Sequence, residues 1–69
     1  MIKFTLGESE YIELMRLLKV LNIANSGGQA KLMVDDGEVK RNGVVESRKR
    51  AKLRVGDKIE IFNETIIIE

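Results

Sequence analysis

The sequence predicts an α+β domain in which two N-terminal helices pack on a small, mainly antiparallel sheet of short strands. Three observations carry this. Apolar residues recur at helical spacing in two early segments, Tyr11 to Leu21 and Ala30 to Val34. After Gly37 the pattern changes to short alternating runs punctuated by Asn42-Gly43 and Gly56-Asp57. The length, 69 residues with no linker, repeat or low-complexity stretch, fits one domain over residues 1–69.

Taken in order, Ile2, Phe4 and Leu6 alternate with Lys3 and Thr5 as in a half-buried strand, which Gly7 ends. Ser9 is placed to cap a first helix whose early acids, Glu10 and Glu13, suit the positive end of the helix dipole. Tyr11, Leu14, Leu18 and Leu21 form its apolar stripe, widened by Met15 and Leu17, and this puts Tyr11 in the core. Ser26 and Gln29 have capping-box spacing and open a second helix, buried through Ala30, Met33 and Val34 and stopped at Gly37. Asp35 and Asp36 sit unfavourably at its negative end. Asn42-Gly43 then joins Val39–Arg41 to Val44–Glu46 in a hairpin, because both central positions of such a turn need positive φ. Lys58–Phe62 alternates with Ile59 and Ile61 on one face, and Asn63-Glu64 is read as the turn onto Thr65–Ile68.

A chain this short buries only about 60% of its unfolded surface. With no Cys and no His there is neither a disulfide nor the usual structural zinc site to help, so an aliphatic core must do the work. The N-terminus lacks the apolar segment of a signal peptide, and no run approaches the roughly 20 apolar residues of a membrane span. The expectation is a cytoplasmic protein with no membrane partner.

Charge is distributed unevenly. Lys40 to Arg54 holds seven of the twelve basic residues and one acid, Glu46, a local charge of +6 in a chain of net charge +1. Such a patch on a near-neutral body concentrates polyanions without uniform self-repulsion. Read as an extended chain, Arg48 to Val55 turns Ala51, Leu53 and Val55 inward. It projects Arg48, Arg50, Lys52 and Arg54 outward in a row about 6 to 7 Å apart, close to the phosphate repeat of an extended nucleic-acid strand. Two readings stand: phosphate contact, and a charged edge that discourages strand-to-strand aggregation. The second helix offers another candidate. Gly27 and Gly28 expose the first backbone amides to a phosphate oxygen, with Lys31 one turn further on; the alternative is a loop that needs glycine for its bend.

Other chemistry is poorly represented. Adjacent carboxylates at Asp35 and Asp36 diverge and have no further ligand at metal spacing. No phosphate-binding glycine loop, catalytic His or Cys, or nucleophile with a recognisable base is present, so no enzyme, cofactor, metal or small-molecule substrate is expected.

Together, the segments SGGQAKLMVDDG, EVKRNGVVES and RKRAKLRVGDKIEI resemble the alpha-L RNA-binding motif named after the fourth protein of the small ribosomal subunit. The likeness covers about residues 9 to 62, and SGGQAK with ESRKRAK is similar to that family's small stand-alone YbcJ-like members. The resemblance implies an RNA surface formed by the second helix and the segment after the hairpin, at Ser26, Gly27, Gly28, Gln29, Lys31, Lys40, Arg48, Lys49, Arg50 and Lys52. Arg41 and Arg54 join the candidates as members of the charge cluster. Arg41 stands where the family usually has an apolar residue, and Gly27 where many members have Arg. Residues 1–8 and 63–69 lie outside the motif and are expected to add edge strands.

The function expected is a non-catalytic domain that contacts structured RNA, ribosomal or transfer RNA, through phosphates and shape. The competing reading is a protein-interaction module whose basic face docks an acidic protein. A β-grasp carrier, suggested by the small size and mixed strands, ranks lowest, because the sequence ends Ile66-Ile67-Ile68-Glu69 and not in the Gly-Gly that carrier chemistry needs.

Overall fold

A five-stranded sheet and two helices share a single core, and the local sequence accounts for most of the elements. The computed structural model describes residues 1–69. In chain order these are β1 (Ile2–Phe4), β2 (Ile12–Glu13), α1 (Leu14–Val20), α2 (Gly27–Asp35), β3 (Val39–Arg41), β4 (Val44–Val45), β5 (Lys52–Leu53), β6 (Lys58–Ile61) and β7 (Glu64–Ile68). The main sheet has the order β1-β7-β6-β3-β4, while β2 and β5 form a separate antiparallel ribbon. Strand alternation turns Val39, Ile59, Ile61, Ile66 and Ile68 inward, where they meet Leu14, Leu17, Leu18, Ala30 and Val34 of the helices and Leu53 of β5. Truncating one of these buried leucines or isoleucines to Ala removes about 2–5 kcal/mol.

α2 forms as its termini predict. Ser26 is extended (φ −154°, ψ 167°), and its hydroxyl oxygen accepts from the Gln29 amide at 3.1 Å. The Gln29 side chain accepts in turn from the Asn25 amide, one residue before the usual capping-box position. At the far end Gly37 has φ +74°; its amide donates to Val34 and that of Glu38 to Met33, the paired bonds of a Schellman stop. Asp35 and Asp36 are exposed, so water screens their clash with the dipole. At the hairpin, Asn42 (φ +53°) and Gly43 (φ +87°) both adopt the left-handed conformation, and Arg41 pairs with Val44.

Several expectations are corrected. The first helix begins at Leu14 rather than after Ser9, and Glu13 precedes it without a side-chain cap. Residues 12–13 are extended because Ile12 pairs with Leu53 and Glu13 with Lys52. The first two helical amides then find acceptors outside the helix: Leu14 donates to the Ala51 carbonyl at 3.0 Å and Met15 to that of Lys49 at 2.9 Å. β1 stops at Phe4. The last turn lies at Phe62-Asn63, with Phe62 at φ +53°, so that Ile61 pairs with Glu64 and Ile59 with Ile66. β7 is interior, with β1 on its other side in the one parallel pairing of the sheet, so the C-terminal segment is no edge.

Candidate nucleic-acid interface

The basic segment is held in place by a polar network rooted in two carboxylates. Asp57 accepts from the Arg54 amide at 2.8 Å, the Arg41 guanidinium at 2.8 Å and the Asn42 side chain at 3.0 Å. Asn42 closes the loop by accepting from the Lys58 amide at 2.9 Å. Arg41 also donates to the Lys52 carbonyl at 2.8 Å and reaches Glu46 at 3.5 Å. Glu46, only 8% exposed, accepts from the Arg48 amide (3.2 Å) and from two nitrogens of the Arg48 guanidinium (3.1 and 3.2 Å). The Arg48 hydrogen bonds hold the Glu46 carboxyl below the usual carboxylate range against the opposing effect of burial, and Glu46 raises Arg48 in return. For Asp57, burial is the largest single influence and pushes upward; bonds from Arg54, Asn42 and Arg41 together outweigh it and leave the group lowered.

This network revises the predicted row. Arg48 to Arg54 is not one extended strand. The chain turns at Lys49-Arg50, with the Ala51 amide on the Arg48 carbonyl at 3.1 Å, and only Lys52–Leu53 pairs as strand. Arg50, Lys52 and Arg54 are exposed and Lys49 half-buried. Ala51 and Leu53 are buried as expected, but Val55, expected inward, is 69% exposed beside the turn at Gly56. Arg41 is a clamp with a side chain 23% exposed, and Arg48, though 71% exposed, has its guanidinium engaged by Glu46. Arg41, Arg48, Arg50 and Lys52 surround a shallow cleft of about 340 Å³. Lys40 stands apart. Alternation along β3 puts it on the solvent face of the sheet, opposite Glu60 and Val45.

The start of α2 is joined to this turn through Met15. A Cβ built on Gly27 would lie 3.3 Å from the end of the Met15 side chain, while the Met15 amide binds Lys49. Gly27 therefore lets α2 approach α1 closely. Gly28 faces no such constraint, its nearest neighbour being the Ser26 hydroxyl at 3.8 Å from a built Cβ. The side-chain oxygens of Ser26 and Gln29 cap the helix, and Lys31 is exposed.

Tyr11 was misplaced by its spacing. It is 39% exposed, with the Lys52 ammonium 5.0 Å and the Arg54 guanidinium 5.7 Å from its ring centre. The sequence signal that was available is the adjacent pair Tyr11-Ile12, both strand-favouring residues, which competes with the helical spacing.

Two helices on a sheet of short strands, with a basic turn laid across the start of α1, define a small alpha-L module. The chain belongs to the S4 domain family, which matches it over residues 4–69. YbcJ of Escherichia coli (strain K12), named as a candidate RNA-binding protein, is 38% identical over 66 residues, 96% of this chain and 94% of that protein. The probable ribosome maturation protein RlbA of Bacillus subtilis (strain 168) is 39% identical over 54 residues, 78% of this chain and 76% of its own length. The solution structure of Escherichia coli YbcJ, described as an alfaL motif involved in RNA binding, superposes with a TM-score of 0.74 at 37% identity over 99% of this chain and 86% of that one. The YbcJ-like resemblance read from SGGQAK and ESRKRAK is thus matched along nearly the whole chain. No helix is long and apolar enough to cross a membrane.

Proposed function

We propose that the protein is a non-catalytic cytoplasmic module that binds structured RNA, ribosomal or transfer RNA, through the turn carrying Arg48, Lys49, Arg50, Lys52 and Arg54. The observation that carries this is the treatment of charge around the turn. Two of its nearby carboxylates, Glu46 and Asp57, point into the network and are largely shielded from water, a third, Glu13, stands opposite Lys52, and Arg50, Lys52 and Arg54 are left facing solvent. Anions approaching the turn meet cations fixed through their backbone. Phosphate contact then releases condensed counterions without first ordering a loop. The start of α2 at Ser26, Gly27, Gly28, Gln29 and Lys31, joined to the turn by Met15, extends the surface, and the naming of RlbA for ribosome maturation favours ribosomal RNA.

Titration with a structured RNA at several salt concentrations tests the reading. Contact with four to six phosphates gives a slope of log affinity against log salt of about −3 to −5, and the RNA is recovered intact. A slope near zero refutes it. Crosslinking in cells that recovers an acidic protein and no RNA replaces it with a protein-docking function.

A further inference from the structure

Beside the basic turn lies a second concavity of about 700 Å³, lined in part by Tyr11, whose ring also meets Lys52 and Arg54. The groove is lined by Phe4, Leu6, Ile12 and Val20, with Glu10, Glu13 and Arg16 as its charged groups. No residue of β5 lines it. The β2–β5 register explains the division. With Ile12 opposite Leu53 and both buried, Tyr11 and Glu13 share the other face of the ribbon with Lys52, which stands opposite Glu13, and Arg54. The ring thus meets the Lys52 and Arg54 cations and also lines the groove.

We infer that Tyr11 and this groove receive an unpaired base of the bound RNA, whose backbone lies on Lys52 and Arg54. The inference rests on the RNA-binding reading and adds to it a site for a base. Lys52 and Arg54 draw a phosphate to the β5 side, whereas the charged lining of the groove, Glu10 and Glu13 against Arg16, sums to −1 and favours an uncharged base over a phosphate. The groove falls within the size range of ligand pockets, and its apolar lining suits a base taken out of its stack. Glu10 and Glu13 offer acceptors to exocyclic amino groups, which adenine, cytosine and guanine carry and uracil lacks. Lys52 and Arg54 keep the ring in place, so a base stacking on it orders little that is not ordered already.

Tyr11 is the only tyrosine and the chain has no Trp, so its emission reports on this site alone. The test compares an RNA hairpin bearing one bulged adenosine with the same hairpin fully paired, at 150 mM salt, to order of magnitude a physiological ionic strength. The bulged hairpin is expected to quench Tyr11 emission and to bind more tightly. Tyr11→Leu should lose about five- to 150-fold of its affinity for that hairpin, the effect of removing one base–aromatic stack, with affinity for the paired hairpin unchanged. Tyr11→Phe should keep most of it. If both hairpins bind with salt dependence, and neither Tyr11 emission nor Tyr11→Leu distinguishes them, the base site is refuted while RNA binding stands. If neither hairpin binds, the RNA reading itself falls.

Discussion

Replacing Asp57 with Ala removes the acceptor on which the clamp converges. Three donors are released: the Arg41 guanidinium, the Asn42 side chain and the Arg54 amide. Hydrogen bonds to a charged group contribute about 1.5–3 kcal/mol each, and water re-solvates the exposed Asn42 and Arg54 donors at little loss. Arg41 is different, because its side chain is 23% exposed and keeps only the Lys52 carbonyl and a long contact to Glu46. Allowing for partial screening, the expected loss is about 3–4 kcal/mol. A domain of this size has a total stability of roughly 3.5–10 kcal/mol, so Asp57→Ala stands near the unfolding threshold. Urea denaturation followed by circular dichroism should show a midpoint about 3 M lower at an unchanged slope, for a slope of about 1 kcal/mol per M. Asp57→Asn keeps one acceptor oxygen and should lose about 1–2 kcal/mol. A loss for Asp57→Ala below about 0.5 kcal/mol, the range of ordinary surface substitutions, would show that the network does not hold the turn.

Because Glu46 and Asp57 are both lowered in the folded state, the unfolded chain binds more protons near the carboxylate range. Stability is therefore fully present above about pH 4.5 and is lost as pH falls through the lowered folded values; urea midpoints between pH 7 and 2.5 measure this, and Glu46→Gln should flatten part of the decline. Arg50→Ala should weaken binding of structured RNA and reduce the magnitude of the salt slope by about 0.7–0.9 for a lost phosphate contact, with the urea midpoint unchanged. Arg48→Ala, by contrast, should lower the midpoint as well, since it strips the two guanidinium hydrogen bonds from buried Glu46 and leaves only the backbone amide at 48 as a donor there. Gly37→Ala should lose about 1–2 kcal/mol in the same assay, because an L side chain is strained at φ +74°.

What the sequence made legible was local. The Ser26 cap, the Gly37 stop and the Asn42-Gly43 turn each lie within a few residues of the groups they satisfy, and each formed as read. The errors arose where distant segments decide. Tyr11 to Glu13 fits a helix by spacing, but β5, some forty residues on, offers Ile12 a strand and gives α1 its acceptors. The last hairpin was misread because a two-residue shift of register preserves strand parity, so alternation cannot separate a turn at Phe62-Asn63 from one at Asn63-Glu64. In the candidate site the cluster of cations was visible, but not their sorting. Which arginines are anchors depends on the burial of Glu46 and the position of Asp57, and neither follows from a charge count.

The interior position of β7 bears on how the chain is assembled. Synthesis delivers β7 after every other element of the domain, yet it belongs between β6 and β1. Until it arrives the emerging polypeptide has two unpaired strand borders separated by a gap, and the isoleucines meant to cover Ile66 and Ile68 are open to neighbouring nascent chains. Closure then waits on contact between residues 2–4 and 66–68, the most distant pairing in the domain, which makes it a late step.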